Sequence, residues 1–131
     1  MYTIPITPKP TPRPRLGKHG AYNPKSYTAY KKKLVQWLAL LKVPSSDYNF
    51  IYAKFYVPYP KNTPKKDRID CMPLDKVFDC DNVIKGLCDA LEQGNIIPND
   101  RCFSTMLIEK YRTTEEHGRI EFELKKTTNA G

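Results

Sequence analysis

The sequence predicts an α/β chain of the α+β kind, a mixed sheet of about four strands packed with two main helices in the order β-α-β-α-β-β. Two segments repeat apolar residues at helical spacing, several short runs are rich in aromatic and β-branched residues, and turn-forming residues separate them. With 131 residues, the chain has room for one domain with a modest core, and none for a second.

The first strand is read from Met1 to Ile6, where residues alternate and Pro5 restricts the segment to a sheet edge. A basic, proline-rich arm follows at about residues 7–25. In it Pro10, Pro12 and Pro14 impose extended backbone, and Lys9, Arg13, Arg15 and Lys18 project from it. Tyr30, Leu34, Trp37, Leu38 and Leu41 recur at helical spacing and predict a helix over about Thr28–Lys42, with Ser26 as its cap and Pro44 as its stop. That stripe is a core face, and Lys31, Lys32 and Lys33 fall largely on solvated faces.

Tyr48–Val57, dense in aromatic and β-branched residues, reads as a strand. A basic loop at about residues 58–76 carries Lys61, Lys65, Lys66, Arg68 and Lys76; loops this long within compact domains are commonly functional. The second helix is predicted over about Asn82–Gln93, with Val83, Ile84, Leu87, Cys88 and Leu91 on one face and Gly94 just beyond. Phe103–Tyr111 and Arg119–Lys125 are read as strands that pair across the polar turn Thr113–Gly118.

Lys and Arg number 22 against 14 Asp and Glu, a net charge of +8. Such a balance favours a polyanionic partner, nucleic acid first, and says nothing of fold. Mean hydropathy is −0.62, no apolar run approaches the roughly 18 residues of a membrane span, and residues 1–14 lack the order of a secretory signal. The expectation is a cytosolic protein with no membrane partner. Cys71, Cys80, Cys88 and Cys102 form no C-x-x-C pair and are read as buried, reduced thiols.

The run Phe78-Asp79-Cys80-Asp81-Asn82-Val83-Ile84-Lys85 carries the chemistry. Capping a helix takes one carboxylate, and Asp81 can serve. Asp79 is not explained that way; in extended chain it points to the same side as Asp81, so the two can share a hard cation. A third carboxylate allows the paired-metal arrangement of phosphodiester hydrolysis. Asp100 is the candidate, because the chain after the helix is long enough to return it toward the helix start. Lys85 sits in the first turn on roughly the same face as Asp81; it opposes the helix dipole, so its natural partner is an anion, either a carboxylate such as Asp81 or Asp89, or a phosphate.

Asp79-x-Asp81-Asn82-x-x-Lys85, Asp89-Ala90-Leu91 and Asn99-Asp100 resemble the D-x-D-N-x-x-K, D-A-L and D-D elements of RusA-type Holliday-junction resolvases, crossover-junction endodeoxyribonucleases. Arg13-Pro14-Arg15-Leu16, Gly20-Ala21-Tyr22-Asn23-Pro24-Lys25, Glu109-Lys110-Tyr111 and Gly118-Arg119-Ile120-Glu121 resemble further family segments in the same order. The chain departs at Val77-Phe78, where the family usually has a basic residue and often a proline, at Asn99 and at Cys102. These departures bear on DNA contacts and leave the three candidate ligands in place.

The resemblance implies a homodimer that binds four-way DNA junctions and makes paired symmetric nicks, in a bacterial or phage-infected cell. It implies Mg²⁺, with Mn²⁺ as an alternative, held by Asp79, Asp81 and Asp100 with Lys85 as a further catalytic residue, and no organic cofactor. Arg13, Arg15, Lys18, Lys65, Lys66, Arg68 and Lys76 are the expected DNA contacts. Two alternatives stand beside it: a non-catalytic nucleic-acid-binding module, and a nuclease acting on flaps or other branched DNA.

Overall fold

Strand β4, Phe50–Pro58, is the axis of the molecule. Ile51, Ala53 and Phe55 point to one face and are fully buried, as period-two alternation requires of a central strand packed on helices. The structure, a computed structural model, describes residues 1–12, 15–17, 20–22, 25–75 and 78–128, with side chains left undescribed for 15–17 and 20–22.

The main sheet has five strands in the order β1-β7-β4-β6-β5, formed by Tyr2–Ile4, Arg119–Lys125, Phe50–Pro58, Thr105–Thr113 and Met72–Pro73. Strand β4 runs parallel to β6, from Phe50↔Thr105 to Pro58↔Thr113, and antiparallel to β7. A separate two-stranded piece, β2 (Arg15–Gly17) with β3 (Gly20–Tyr22), lies in the arm. The α+β class follows as expected, with one more sheet strand than anticipated: the two residues of β5 are too short to stand out in a polar, proline-broken loop.

The sequence reading of the last two strands as a paired hairpin is overturned, since β4 lies between β6 and β7. The reason is the crossover. Parallel neighbours need a long connection, and the segment from β4 through helix α2 (Cys80–Gln93) to β6 supplies one. This βαβ unit puts β6 on one side of β4 and leaves the other side to β7.

Helix α1 spans Lys25–Leu40 and α2 Cys80–Gln93. Ser26 is therefore inside α1 and exposed rather than its cap. Tyr27, Tyr30, Leu34 and Leu38 of α1 pack with Val83, Leu87 and Leu91 of α2 over the sheet residues Ile4, Ile51, Phe55, Ile120 and Phe122. Trp37 and Leu41 are partly buried against that core. The helices approach closely at Gly86, where a Cβ would stand 3.1 Å from the Tyr27 hydroxyl. All four cysteines are free, but only Cys88 is buried; Cys71 is exposed, and Cys80 and Cys102 are intermediate. The expectation of four buried thiols is thus corrected, because only Cys88 lies on the apolar stripe of a helix.

Candidate active site

Asp79 occupies the N-cap position of α2 with extended backbone, φ −76° and ψ 150°, and its carboxylate makes no capping hydrogen bond. Its carbonyl instead accepts the Val83 N–H at 3.2 Å, starting the helix. Asp81 lies in the first helical turn. The premise of two carboxylates alternating along extended chain is therefore overturned: only Asp79 is extended, Cys80 and Asp81 are already helical, and the relation between the pair is set by a cap-to-helix turn. Both side chains are exposed. The bland explanation, helix capping by side-chain oxygen, is not what either carboxylate does.

Lys85 is also exposed. Asp89, one of the carboxylates expected to neutralise it, pairs with Lys31 of α1 at 3.7 Å. Among the described residues no ion pair joins Lys85 to Asp81 or Asp89.

Asp100 opens a 3-10 turn, Asp100–Cys102, with Asn99 as its cap: the Asn99 side-chain oxygen accepts the Arg101 N–H at 3.0 Å. The Asp100 backbone N–H donates to Glu92 Oε1 at 2.8 Å, tying this turn to the last part of α2. Burial pushes the Cys88 thiol up to about 12, with the Asp100 charge as the next contribution. Asp81, Lys85, Cys88 and Glu92 fall within an arc of about 60° on an α-helix. Asp100 consequently borders the stripe of α2 that begins at Asp81, about 10 Å of helix axis separating Asp81 from Cys88.

A hard divalent cation takes oxygen ligands, commonly one or two protein carboxylates with water and substrate phosphate completing the shell. Exposed carboxylates without a described hydrogen bond or ion pair match that donor chemistry at Asp79, Asp81 and Asp100. As placed, no three His, Cys, Asp or Glu side chains among the described residues form a group able to hold a metal ion. Asp79 and Asp81 both belong to the head of α2, and Asp100 follows the helix, tied by its backbone to Glu92.

Two neighbouring segments converge on that helix end. Thr11 of the arm donates its backbone N–H to the Asn82 carbonyl at 3.0 Å and its hydroxyl to the same oxygen at 2.8 Å. From β6, Lys110 Nζ donates to the Phe78 carbonyl at 2.5 Å. Sequence reasoning gives Lys110 only a place in the family-like segment Glu109-Lys110-Tyr111, and the structure pairs it in register with the fully buried Phe55 of β4.

The expected DNA contacts divide. Arg13, Lys18 and Lys76 lie outside the described residues, and the side chain of Arg15 does as well. Lys65 and Lys66 are exposed on a 3-10 turn, Lys65–Asp67. Arg68 folds back on its own loop, donating Nε to the Thr63 carbonyl at 3.0 Å and Nη2 to the Lys61 carbonyl at 3.2 Å, so it braces the loop. Lys61, Lys65 and Arg68 line one wall of a cleft of about 510 Å³ whose other side includes Thr113, Thr114, Glu115 and Glu116.

A net charge of +8, a βαβ crossover that delivers carboxylates and a lysine to one helix end, and a lysine-bearing loop together have the attributes of a nucleic-acid-processing hydrolase. The chain matches the family model of endodeoxyribonuclease RusA over residues 5–125 and belongs to that family. Membership makes it an endodeoxyribonuclease of the Holliday-junction-resolving kind, a class generally dependent on divalent metal. No curated protein matches the chain at a significant level. No helix among the described residues is long and apolar enough to cross a membrane.

Proposed function

We propose that this chain resolves four-way DNA junctions by Mg²⁺-dependent phosphodiester hydrolysis, with Asp79, Asp81 and Asp100 as metal ligands and Lys85 facing the scissile phosphate. The observation that carries the reading is the state of these four side chains in a RusA-family chain. Each is exposed and free of any described hydrogen bond or ion pair, at positions where capping and local pairing would otherwise have occupied it.

Held by Asp79, Asp81 and Asp100, Mg²⁺ would supply charge neutralisation at the phosphate and would lower the pKa of the attacking water. Asp79 and Asp81 hold their oxygens at the head of α2. Asp100 stands on the 3-10 turn tied to Glu92 beside the same helix, and joining the set would require that turn to come nearer the head of α2. Lys85, unneutralised by Asp89, offers its ammonium to charge that develops on the phosphoryl oxygens in the transition state.

Lys65 and Lys66 grip DNA phosphates from the 3-10 turn, in a way that sets register and carries no sequence information. Arg13 follows Thr11 by two residues, within about 7 Å of extended chain, so the arm's cations start from a point tied to the first turn of α2. Lys18 and Lys76 are proposed as further phosphate contacts, on charge and position in the chain. A homodimer with one active site per subunit matches a two-fold junction, and paired nicks in two symmetry-related strands then leave symmetric ends.

The test presents synthetic four-way junctions, flaps and linear duplexes side by side, with Mg²⁺, with Mn²⁺ and with neither, to the natural chain and to Asp81→Asn. Expected is metal-dependent, paired cleavage of the junction, lost in Asp81→Asn while junction binding persists. Preferential cleavage of flaps would move the substrate to another branched DNA. Undiminished cleavage by Asp81→Asn would sink the metal assignment.

A further inference from the structure

We infer that Lys110 is a positioning residue of the active site, fixing the backbone that leads into Asp79; the inference rests on the proposed metal site. Lys110 holds both ends of the segment that joins β5 to α2. Its carbonyl accepts the Leu74 N–H at 3.0 Å, and its ammonium donates to the Phe78 carbonyl at 2.5 Å. The same ammonium lies 5.9 Å from the centre of the Phe78 ring.

The second contact bears on the chemistry. Phe78 immediately precedes Asp79, so a donor fixed on its carbonyl sets the peptide plane from which Asp79 departs. On the other side, the Asp79 carbonyl is engaged by Val83 N–H. Asp79 is thus clamped between a strand-borne cation and the first turn of α2. Its carboxylate stays unengaged while its backbone has little freedom, which is what preorganising a ligand requires.

Electrostatics point the same way. Lys110 is half-buried on the helix-bearing side of the sheet, and among the described residues no carboxylate lies within ion-pair distance of it. A cation beside a helix N-terminus is opposed by the helix dipole. A structural tie to a carbonyl would be served by a neutral donor; a full charge is better explained by the acidic pair that follows Phe78.

The experiment compares the natural chain with Lys110→Met, Lys110→Arg and Asp79→Asn. It measures Mn²⁺ binding to the DNA-free protein by electron paramagnetic resonance, the Mg²⁺ concentration for half-maximal junction cleavage, and junction binding in EDTA. Lys110→Met is expected to weaken Mn²⁺ binding and raise the Mg²⁺ requirement by about tenfold, the scale of outer ligand supports. Junction binding stays unchanged, and Lys110→Arg restores most of the metal affinity. Natural Mn²⁺ affinity and Mg²⁺ requirement in Lys110→Met, with Asp79→Asn inactive, would overturn the role of Lys110 and leave the metal site standing. Full activity in Asp79→Asn would remove both. Should Lys110→Met fail to fold, Lys110→Ala, which removes the donor and leaves its space to water, takes its place in the same measurements: weakened Mn²⁺ binding supports the role of Lys110, and natural affinity overturns it.

Discussion

Lys31 Nζ lies 3.7 Å from Asp89 Oδ2, a bridge from α1 to α2 that leaves Lys85 without that carboxylate as a partner. The sequence offered Asp89 as a neutraliser of Lys85, and the fold engages it elsewhere. Lys85→Ala should therefore slow junction cleavage by about 10²-fold or more, the scale of removing one transition-state donor. The melting temperature should barely move, since surface changes away from special features usually stay within about 0.5 kcal/mol. Asp89→Ala should do the opposite, costing up to about 1 kcal/mol for a partly exposed pair and leaving cleavage intact. Single-turnover kinetics beside thermal denaturation checks both; equal kinetic losses in the two variants would contradict the assignment.

The loop cations should separate by salt dependence. Lys65 and Lys66 are exposed, and if each makes its proposed phosphate contact, Lys65→Ala and Lys66→Ala should each lower the slope of log K against log salt by about one. Arg68→Ala should mainly loosen the 61–68 loop, because its guanidinium serves the Thr63 and Lys61 carbonyls. Protease nicking in that loop, compared among the three variants, distinguishes bracing from binding.

Gly118 marks the tightest backbone approach in the turn before β7. A Cβ there would lie 2.3 Å from the Tyr56 carbonyl and 3.1 Å from Pro8 and Thr7 atoms, while its N–H donates to Thr7 Oγ1 at 2.9 Å. Gly118→Ala must push backbone against backbone, and a loss of about 1–3 kcal/mol is expected from such overpacking. Urea denaturation of Gly118→Ala gives the number, and a midpoint equal to that of the natural chain would rule out the clash.

Cys88 and Cys71 should differ sharply toward thiol reagents. Burial is the main cause holding the Cys88 thiol protonated up to about 12, whereas Cys71 is exposed. In the unfolded chain a cysteine releases its proton near about 8.5. The folded pKa is raised, so the stabilisation is complete below about pH 8.5 and is lost as pH climbs toward the folded value. Ellman's reagent at pH 8 should label Cys71 rapidly and Cys88 only after denaturant is added. The Cys88→Ala chain should lose less stability than the natural one between pH 8.5 and 10.

Much of the fold was legible because its signals are local. Periodicity placed α2 within two residues of its start and at its observed end, and alternation placed β7 at Arg119–Lys125. The candidate site was legible as a motif for a different reason: Asp79, Asp81 and Lys85 are neighbours in sequence, and all three belong to the start of one helix. The start of α1 was less legible, since Ser26 has the chemistry of a cap yet lies within a helix that begins at Lys25.

By itself the sequence determined the α+β class, the core stripes of both helices, the basic character of arm and loop, and the family to which the acidic motif belongs. All of these follow from residue chemistry read at short range. Only the tertiary structure decided that β4 separates β6 from β7, that Asp89 goes to Lys31, that Arg68 folds back on its own loop and that Lys110 reaches the residue before Asp79. Each of those pairings joins segments distant in the chain or competes among partners of equal chemistry, and a local pattern holds no information about which competitor packing brings within reach.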